Sequence, residues 1–259
     1  MSEYFIKQQS SRLAVPPPAA APSYPSYVDF DPFIDVDRLK SLDSYLRDRL
    51  RRRVERARDL QFYTGPFRLD GRAPERPGPR MVYLACSARG HGLDTYYDLD
   101  DTEMWRPSEA AAEFSELMDF IATLPFAAIG RMLIIYDDSG RAVPAHRDHD
   151  DETLCHEFIW LRTNFDKPFY MLDPGTGEKS YVASHSAWFD TVNQFHGADA
   201  TAGLSFSLRI DGRFSDGLRA CIPFPETGRA AAPALWAGAA MRRAECNQSR
   251  ARPVLTSDG

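Results

Sequence analysis

The chain has 259 residues, 43% of them apolar, and a formal charge of -6. This is enough apolar material for the core of one large domain or two small ones, and the acidic balance argues against a mainly electrostatic grip on nucleic acid. The four cysteines, Cys86, Cys155, Cys221 and Cys246, form no CxxC pair, so neither a zinc ribbon nor a dithiol redox site is indicated, and they read as reduced thiols of a cytoplasmic protein.

Residues 1–25 are rich in Pro, Ala and Ser and carry no continuous apolar h-region, which predicts a flexible arm rather than a secretory signal. No run is long enough to cross a bilayer, so no membrane partner is expected. From Asp35 the pattern changes: Leu39, Leu42, Leu46, Leu50 and Val54 share one face of a helix. Its other side, within "RDRLRRRVERAR", reads as a solvated basic face threaded with Asp48, Glu55 and Asp59 rather than a polyanion patch. Phe114, Leu117, Ile121 and Leu124 predict a second helix over 107–124, with Pro107 in its first turn and Pro125 ending it.

Short β-branched or aromatic runs at 80–86, 131–137, 156–162, 168–172, 180–184 and 204–210 predict strands. Strands that follow a helical region suggest an antiparallel sandwich or barrel, within one domain over 26–225, with the helices packed outside. No internal repeat is visible. Residues 226–259 are Ala- and Arg-rich with little periodicity and read as a loose tail. The aromatic, acidic segment 89–105 suits a lid over the barrel mouth.

The chemistry concentrates in "VPAHRDHDDE", residues 143–152. In an extended segment His146 and Asp148 project to one side and Arg147 to the other. A redox-active ferrous ion takes such ligands on one side and needs a further histidine. The candidates are His149, of the wrong parity, His156 on the next strand, His185 in a small polar turn, and His196, which precedes the cleanest strand and is preferred. In that strand, "LSFSLRI", Ser205, Ser207 and Arg209 share a face, which suits a dicarboxylate if it lines a cavity and a wet surface if it points outward.

HxD, a distant histidine and then a strand arginine occur in the order of the iron(II)/2-oxoglutarate dioxygenases, which the chain resembles from about Gly130 to Gly212. "LPFAAIGRMLIIYDDSGRAVPAHRDHD", "HEFIWLRTN" and "AWFDTVNQFHGAD" look like the aspartyl/asparaginyl β-hydroxylase-like branch, which includes bacterial free-proline hydroxylases. The resemblance implies a mainly β fold with flanking helices, a double-stranded β-helix or jelly-roll barrel. It also implies Fe(II) on His146, Asp148 and His196, 2-oxoglutarate with its far carboxylate on Arg209 and a contact from His156, and dioxygen; the strand face adds Ser207 as a hydrogen-bonding neighbour of Arg209. Where the relatives carry an arginine two positions before the cosubstrate histidine, this chain has Leu154. Asp148 stands where related halogenases keep a small residue, which favours oxygen transfer. The expected activity is oxidation of a small amino acid or natural-product intermediate; the alternatives are a protein side chain as substrate, or a jelly-roll binding module without turnover.

Overall fold

The structure, a computed structural model, describes residues 27–56, 59, 67–70, 79–87, 105–148, 157–191 and 194–219. The expected arm, the C-terminal tail, the 89–105 segment apart from Trp105, and His149 and His156 lie outside the described residues. No helix among those described is long and apolar enough to cross a membrane.

The leucine stripe from Asp35 is buried, with Leu39, Leu46 and Leu50 at 0% exposure, but it is carried by two helices, α1 (Val36–Ser41) and α2 (Asp43–Glu55). Asp35 caps α1 by accepting from the Arg38 N–H. The break falls at Leu42, beside Ser41, whose hydroxyl donates back to the Arg38 carbonyl and competes with the helical ladder. The arginine face of α2 is not simply solvated. Arg53 is buried between Asp59 and Glu113, while Arg47 joins Asp43 to Asp166. Arg52, paired with Asp48, stays exposed as expected.

The second helical region is shorter than its apolar spacing predicts. A 3-10 turn over Glu109–Phe114 leads into α3 (Ser115–Ile121). Pro107 lies in a strand instead of a first helical turn, since 105–107 pairs with 85–87 and Ser108 is held by the carbonyls of Leu84 and Tyr83. Proline tolerates such an edge, where its missing N–H costs no ladder bond.

The strands are β1 (Tyr27–Asp29), β2 (Phe67–Arg68), β3 (Arg80–Tyr83), β4 (Ala85–Ser87), β5 (Trp105–Pro107), β6 (Phe126–Asp137), β7 (Val143–Arg147), β8 (Phe158–Leu161), β9 (Phe169–Leu172), β10 (Lys179–Tyr181), β11 (Ser186–Phe189), β12 (Phe195–Ala198) and β13 (Ser205–Phe214). One sheet has the order β1-β11-β8-β13-β6-β3, the other β10-β9-β12-β7-β2. The pairings β6 with β13, β7 with β12, β8 with β11 and β9 with β10 are all antiparallel and nest one inside the next. That nesting over two sheets is the jelly roll, or double-stranded β-helix, so the fold is mainly β with flanking helices.

Alternation sends the two faces of β13 to different layers. Leu208 and Ile210 are fully buried, and Leu208 sits in register with Ile134 of β6 and Leu161 of β8. Arg47 of α2 lies over the ring of Phe206 on the same side, so this face receives the helices. Ser205, Ser207, Arg209 and Asp211 therefore turn toward the five-stranded sheet. Between β6 and β7 the chain reverses at Gly140 (φ 69°), where an added Cβ would lie 2.4 Å from the Thr201 carbonyl oxygen. This turn starts the strand that carries the HxD motif.

Candidate metal centre

His146 stands on β7 and His196 directly opposite on β12. Both rings point between the sheets, with centroids 4.5 Å apart. Asp148 follows β7 by one residue and is fixed by its N–H bond to the Thr191 carbonyl at 2.8 Å. One ligand atom from each of the three side chains lies within 4.8 Å of the other two. Arg147, between them in sequence, points the other way and lies over Phe195, as the alternation predicts.

The hydrogen bonds decide which imidazole atoms are available. His146 Nδ1 is 2.8 Å from the Pro144 carbonyl oxygen, and His196 Nδ1 is 3.2 Å from that of Gln194. A carbonyl only accepts, so each Nδ1 carries its proton and donates, which leaves a lone pair on each Nε2. Those Nε2 atoms stand 3.6 and 3.4 Å from Asp148 Oδ1. Three acceptors thus face one another, and a cation among them satisfies all three. Two imidazoles and one carboxylate on one side of a point are the donor set that suits iron(II) with positions left open. Burial, then the neighbouring His196, pushes His146 down to about 4, with Arg68 adding to the effect. His146 is therefore neutral and able to ligate at neutral pH. Burial alone would raise the Asp148 carboxyl, but the Arg209 guanidinium on its Oδ2 opposes this and helps hold it below the ordinary carboxylate range.

Arg209 approaches from the facing sheet. Its Nη1 donates to Asp148 Oδ2 at 2.9 Å and its Nε to Asp211 Oδ1 at 2.9 Å. Asp211 is fully buried and also accepts from Arg131 Nε at 2.8 Å. The result is a chain of alternating charge, Arg131, Asp211, Arg209, Asp148, buried except at its half-buried end, Asp148. Beside it runs an aromatic wall: Phe158 under the Arg209 guanidinium at 4.1 Å, Trp160 stacked on Phe169, and Phe189 with its ring centroid 5.2 Å from that of His196.

Of the residues singled out in the sequence, His146, Asp148, His196 and Arg209 come together. Ser207 stands two positions from Arg209 on the same strand. His185 is elsewhere: its Nδ1 bonds the Arg162 carbonyl and its ring meets Phe165. Trp160, in register with Arg209, borders the site, whereas Trp188 lies on the opposite face of its strand from Phe189 and is packed in the core. Sequence reading missed Arg68, Arg131 and the phenylalanines of the aromatic wall, and read Trp160 first as a packing residue. Asp211 was legible, because it continues the alternation of Ser205, Ser207 and Arg209. Arg68 was not, because a two-residue strand has no pattern.

No family model and no curated protein matches the chain. Among solved structures it is similar to a Pseudomonas putida prolyl-4-hydroxylase, at 14% identity over 73% of this chain and 92% of that one, with a TM-score of 0.39. It is also similar to a Trichoplax adhaerens prolyl hydroxylase in complex with a hypoxia inducible factor peptide fragment, at 10% identity over 71% and 82% of the two chains and a TM-score of 0.38. A third likeness is the non-heme alpha ketoglutarate dependent epimerase SnoN from nogalamycin biosynthesis, at 12% identity over 80% and 87% and a TM-score of 0.34. Likenesses this slight transfer neither fold nor chemistry; the fold rests on the nested strand pairing, and the site on its three converging acceptors.

Proposed function

We propose that the protein is a non-haem iron(II)- and 2-oxoglutarate-dependent dioxygenase that hydroxylates an unactivated C–H bond of a small amino acid or natural-product intermediate. The observation that carries this reading is the convergence of His146 Nε2, His196 Nε2 and an Asp148 carboxylate oxygen between the sheets, with each Nδ1 tied to a backbone carbonyl. When bound, the iron and 2-oxoglutarate supply the oxidation: one oxygen atom of dioxygen goes to the substrate alcohol and the other to succinate, with release of carbon dioxide.

The chain's own residues bind and orient. The carbonyls of Pro144 and Gln194 fix the imidazole tautomers and ring planes. Asp148 divides its oxygens, Oδ1 toward the imidazoles and Oδ2 toward Arg209. A metal held by Asp148 would share its charge and loosen its hold on Arg209. Arg209 is then the cation on the facing sheet for the far carboxylate of 2-oxoglutarate, with Asp211 holding its Nε and Ser207 adding a hydroxyl. His156, outside the described residues, is assigned to the same cosubstrate on the sequence resemblance alone. The rings of Phe158, Trp160, Phe169 and Phe189 keep water from one side of the centre and strengthen the charges within it.

The test adds ferrous iron and then 2-oxoglutarate to metal-free protein without oxygen. A weak visible charge-transfer band that needs both additions, and that His146→Ala lacks, is the expected result. Folded wild-type protein that gives no band would sink the reading.

A further inference from the structure

Arg53, Arg68, Arg131 and Arg209 are buried, and each meets at least one carboxylate. Arg162 is 4% exposed and meets no carboxylate among the described residues. It stands one residue past β8, on the face that Phe158 and Trp160 turn to the interior, and its N–H continues the ladder to the His185 carbonyl at 2.8 Å. Its Nε donates to the Ser184 carbonyl at 3.0 Å and its Nη2 to that of Val182. The rings of Phe165 and Trp160 have their centroids 4.1 and 5.3 Å from its guanidinium carbon. Asp31, which acts on it only through space, is committed to the N–H groups of His185 and Ser186 and to the Ser186 hydroxyl. Burial therefore wins, and pushes Arg162 down to about 10 against the opposing pull of Tyr27 and Asp31.

The two carbonyls are neutral acceptors, and they occupy one edge of the guanidinium, Nε with the Nη2 hydrogen beside it. The other edge, Nη1 with the second Nη2 hydrogen, has no acceptor among the described residues. Ser184 is 3% exposed, and its hydroxyl is buried without a partner. Its own carbonyl holds Nε, so hydroxyl and guanidinium are neighbours. A cation without an anion thus adjoins a donor without an acceptor, in an interior where each alone is unfavourable. One carboxylate satisfies both: its two oxygens match the parallel N–H groups of the open edge, and a remaining lone pair accepts from the hydroxyl. We propose that Arg162 and Ser184 form a binding site for the carboxylate of a small organic acid, separate from the cosubstrate anchor Arg209. Arg162 stands two residues beyond Trp160, the residue in register with Arg209, so the two sites lie at different levels of the same face. Phe165, the ring against Arg162, is 47% exposed and marks the side from which an acid enters. The site does not depend on the dioxygenase reading.

The experiment titrates the metal-free full chain with sodium acetate at constant ionic strength, and with sodium chloride as a spherical anion for comparison. Acetate should raise the Tm saturably and change the tryptophan emission, and chloride at the same concentration should do neither. Trp160→Phe should lose the emission change and keep the Tm shift. Arg162→Gln should weaken acetate about 10- to 100-fold, as expected for loss of a charge-assisted contact. Arg162→Lys keeps the charge but loses the fork and should fall between. Ser184→Ala, the mildest change to the fold, should weaken acetate about 3- to 10-fold. In the anaerobic iron complex, Arg162→Gln should leave the concentration of 2-oxoglutarate that half-develops the visible band unchanged. A loss there as large as that for acetate would make Arg162 a cosubstrate residue and overturn the proposal. It is also overturned if folded wild type gives no acetate shift, if chloride acts equally, or if acetate binding survives in both the Arg162 and the Ser184 variants. Absence of any band in wild type sinks the dioxygenase reading instead, and the acetate titration, which uses no metal, still decides this site.

Discussion

At the scale of single residues, the centre is governed by where protons and charges can go. Each histidine spends its one proton on a carbonyl, so the acceptors turned inward have no donor among themselves. Behind them Asp211, with no exposed surface, keeps Arg131 and Arg209 in place. Burial would raise its carboxyl, but the two arginines hold it below the usual range. Removing that charge leaves two buried cations without their shared anion, so Asp211→Asn should destabilise the fold by about 3 kcal/mol or more, measured as a lower urea midpoint. It should also weaken the band formed with 2-oxoglutarate; unchanged stability would mean that Asp211 does not hold the pair. Gly197 is a further constraint next to His196. A Cβ there would lie 2.7 Å from both the Tyr170 hydroxyl and the Val143 carbonyl oxygen, and the second is backbone. Only glycine lets β12 sit this close to β7.

At the scale of elements, the layers are tied by polar contacts that apolar periodicity does not announce. Asp43, at the start of α2, accepts from Thr163 Oγ1 and Asn164 Nδ2, both at 2.5 Å, and from Arg47 Nε at 2.8 Å. It thereby fastens the helical layer to the loop after β8. Burial opposes its ionisation, but Thr163, Arg47 and Asn164 outweigh it and lower its carboxyl below 3.8. A carboxyl lowered on folding contributes stability above its unfolded value, which is lost as pH falls through the folded one. Asp43→Asn should therefore cost about 1–2 kcal/mol at neutral pH, discounted for partial exposure. The gap between wild type and variant in denaturant titrations should narrow below about pH 4. A gap that persists at pH 2 would assign the loss to packing instead.

Much of this layer was readable. The leucine stripe of α1 and α2 and the faces of β13 are where 3.6- and 2-residue periods place them. The strand over 131–137 was found, but its start at Phe126 was missed, since the two alanines and the glycine of "FAAIG" are poor strand formers and interrupt the alternation. Pro107 was misplaced because a proline before an apolar period looks like a helix start, and only the pairing with 85–87 makes it an edge strand. Arg53 was read as surface because basic runs are usually solvated; the partners that bury it, Asp59 and Glu113, lie 6 and 60 positions away.

At the scale of the whole molecule, the jelly roll brings the candidate metal ligands together from distant parts of the sequence. The nested pairing sets β7 against β12 in one sheet and β13 in the other, so residues 146 and 196 face one another within one strand pair and residue 209 meets them from the facing sheet. A ligand that binds only the assembled set stabilises that assembly by mass action. Ferrous iron at 100 times its dissociation constant should add about 2.7 kcal/mol, which for a chain of this size raises the anaerobic Tm by roughly 5–11 °C. His146→Ala should abolish the shift, and magnesium at the same concentration should give none. An equal shift in the variant would place the metal elsewhere.

The sequence by itself determined the identity of the inward set. His146 and Asp148 are two residues apart in an extended segment, and that spacing puts both on one face wherever the strand goes. The alternation of β13 likewise put Arg209 and the serines on one side and the apolar residues on the other. Only the tertiary structure decided which side was the interior, because a wet cavity and a wet surface select the same residue types. The register of β12 on β7 set His196, already preferred over His185, directly opposite His146, and only that of β2 brought Arg68 beside His146. Register comes from long-range pairing, whose hydrogen bonds are made by backbone groups that every residue shares, so no side-chain pattern within one strand encodes which partner it will find.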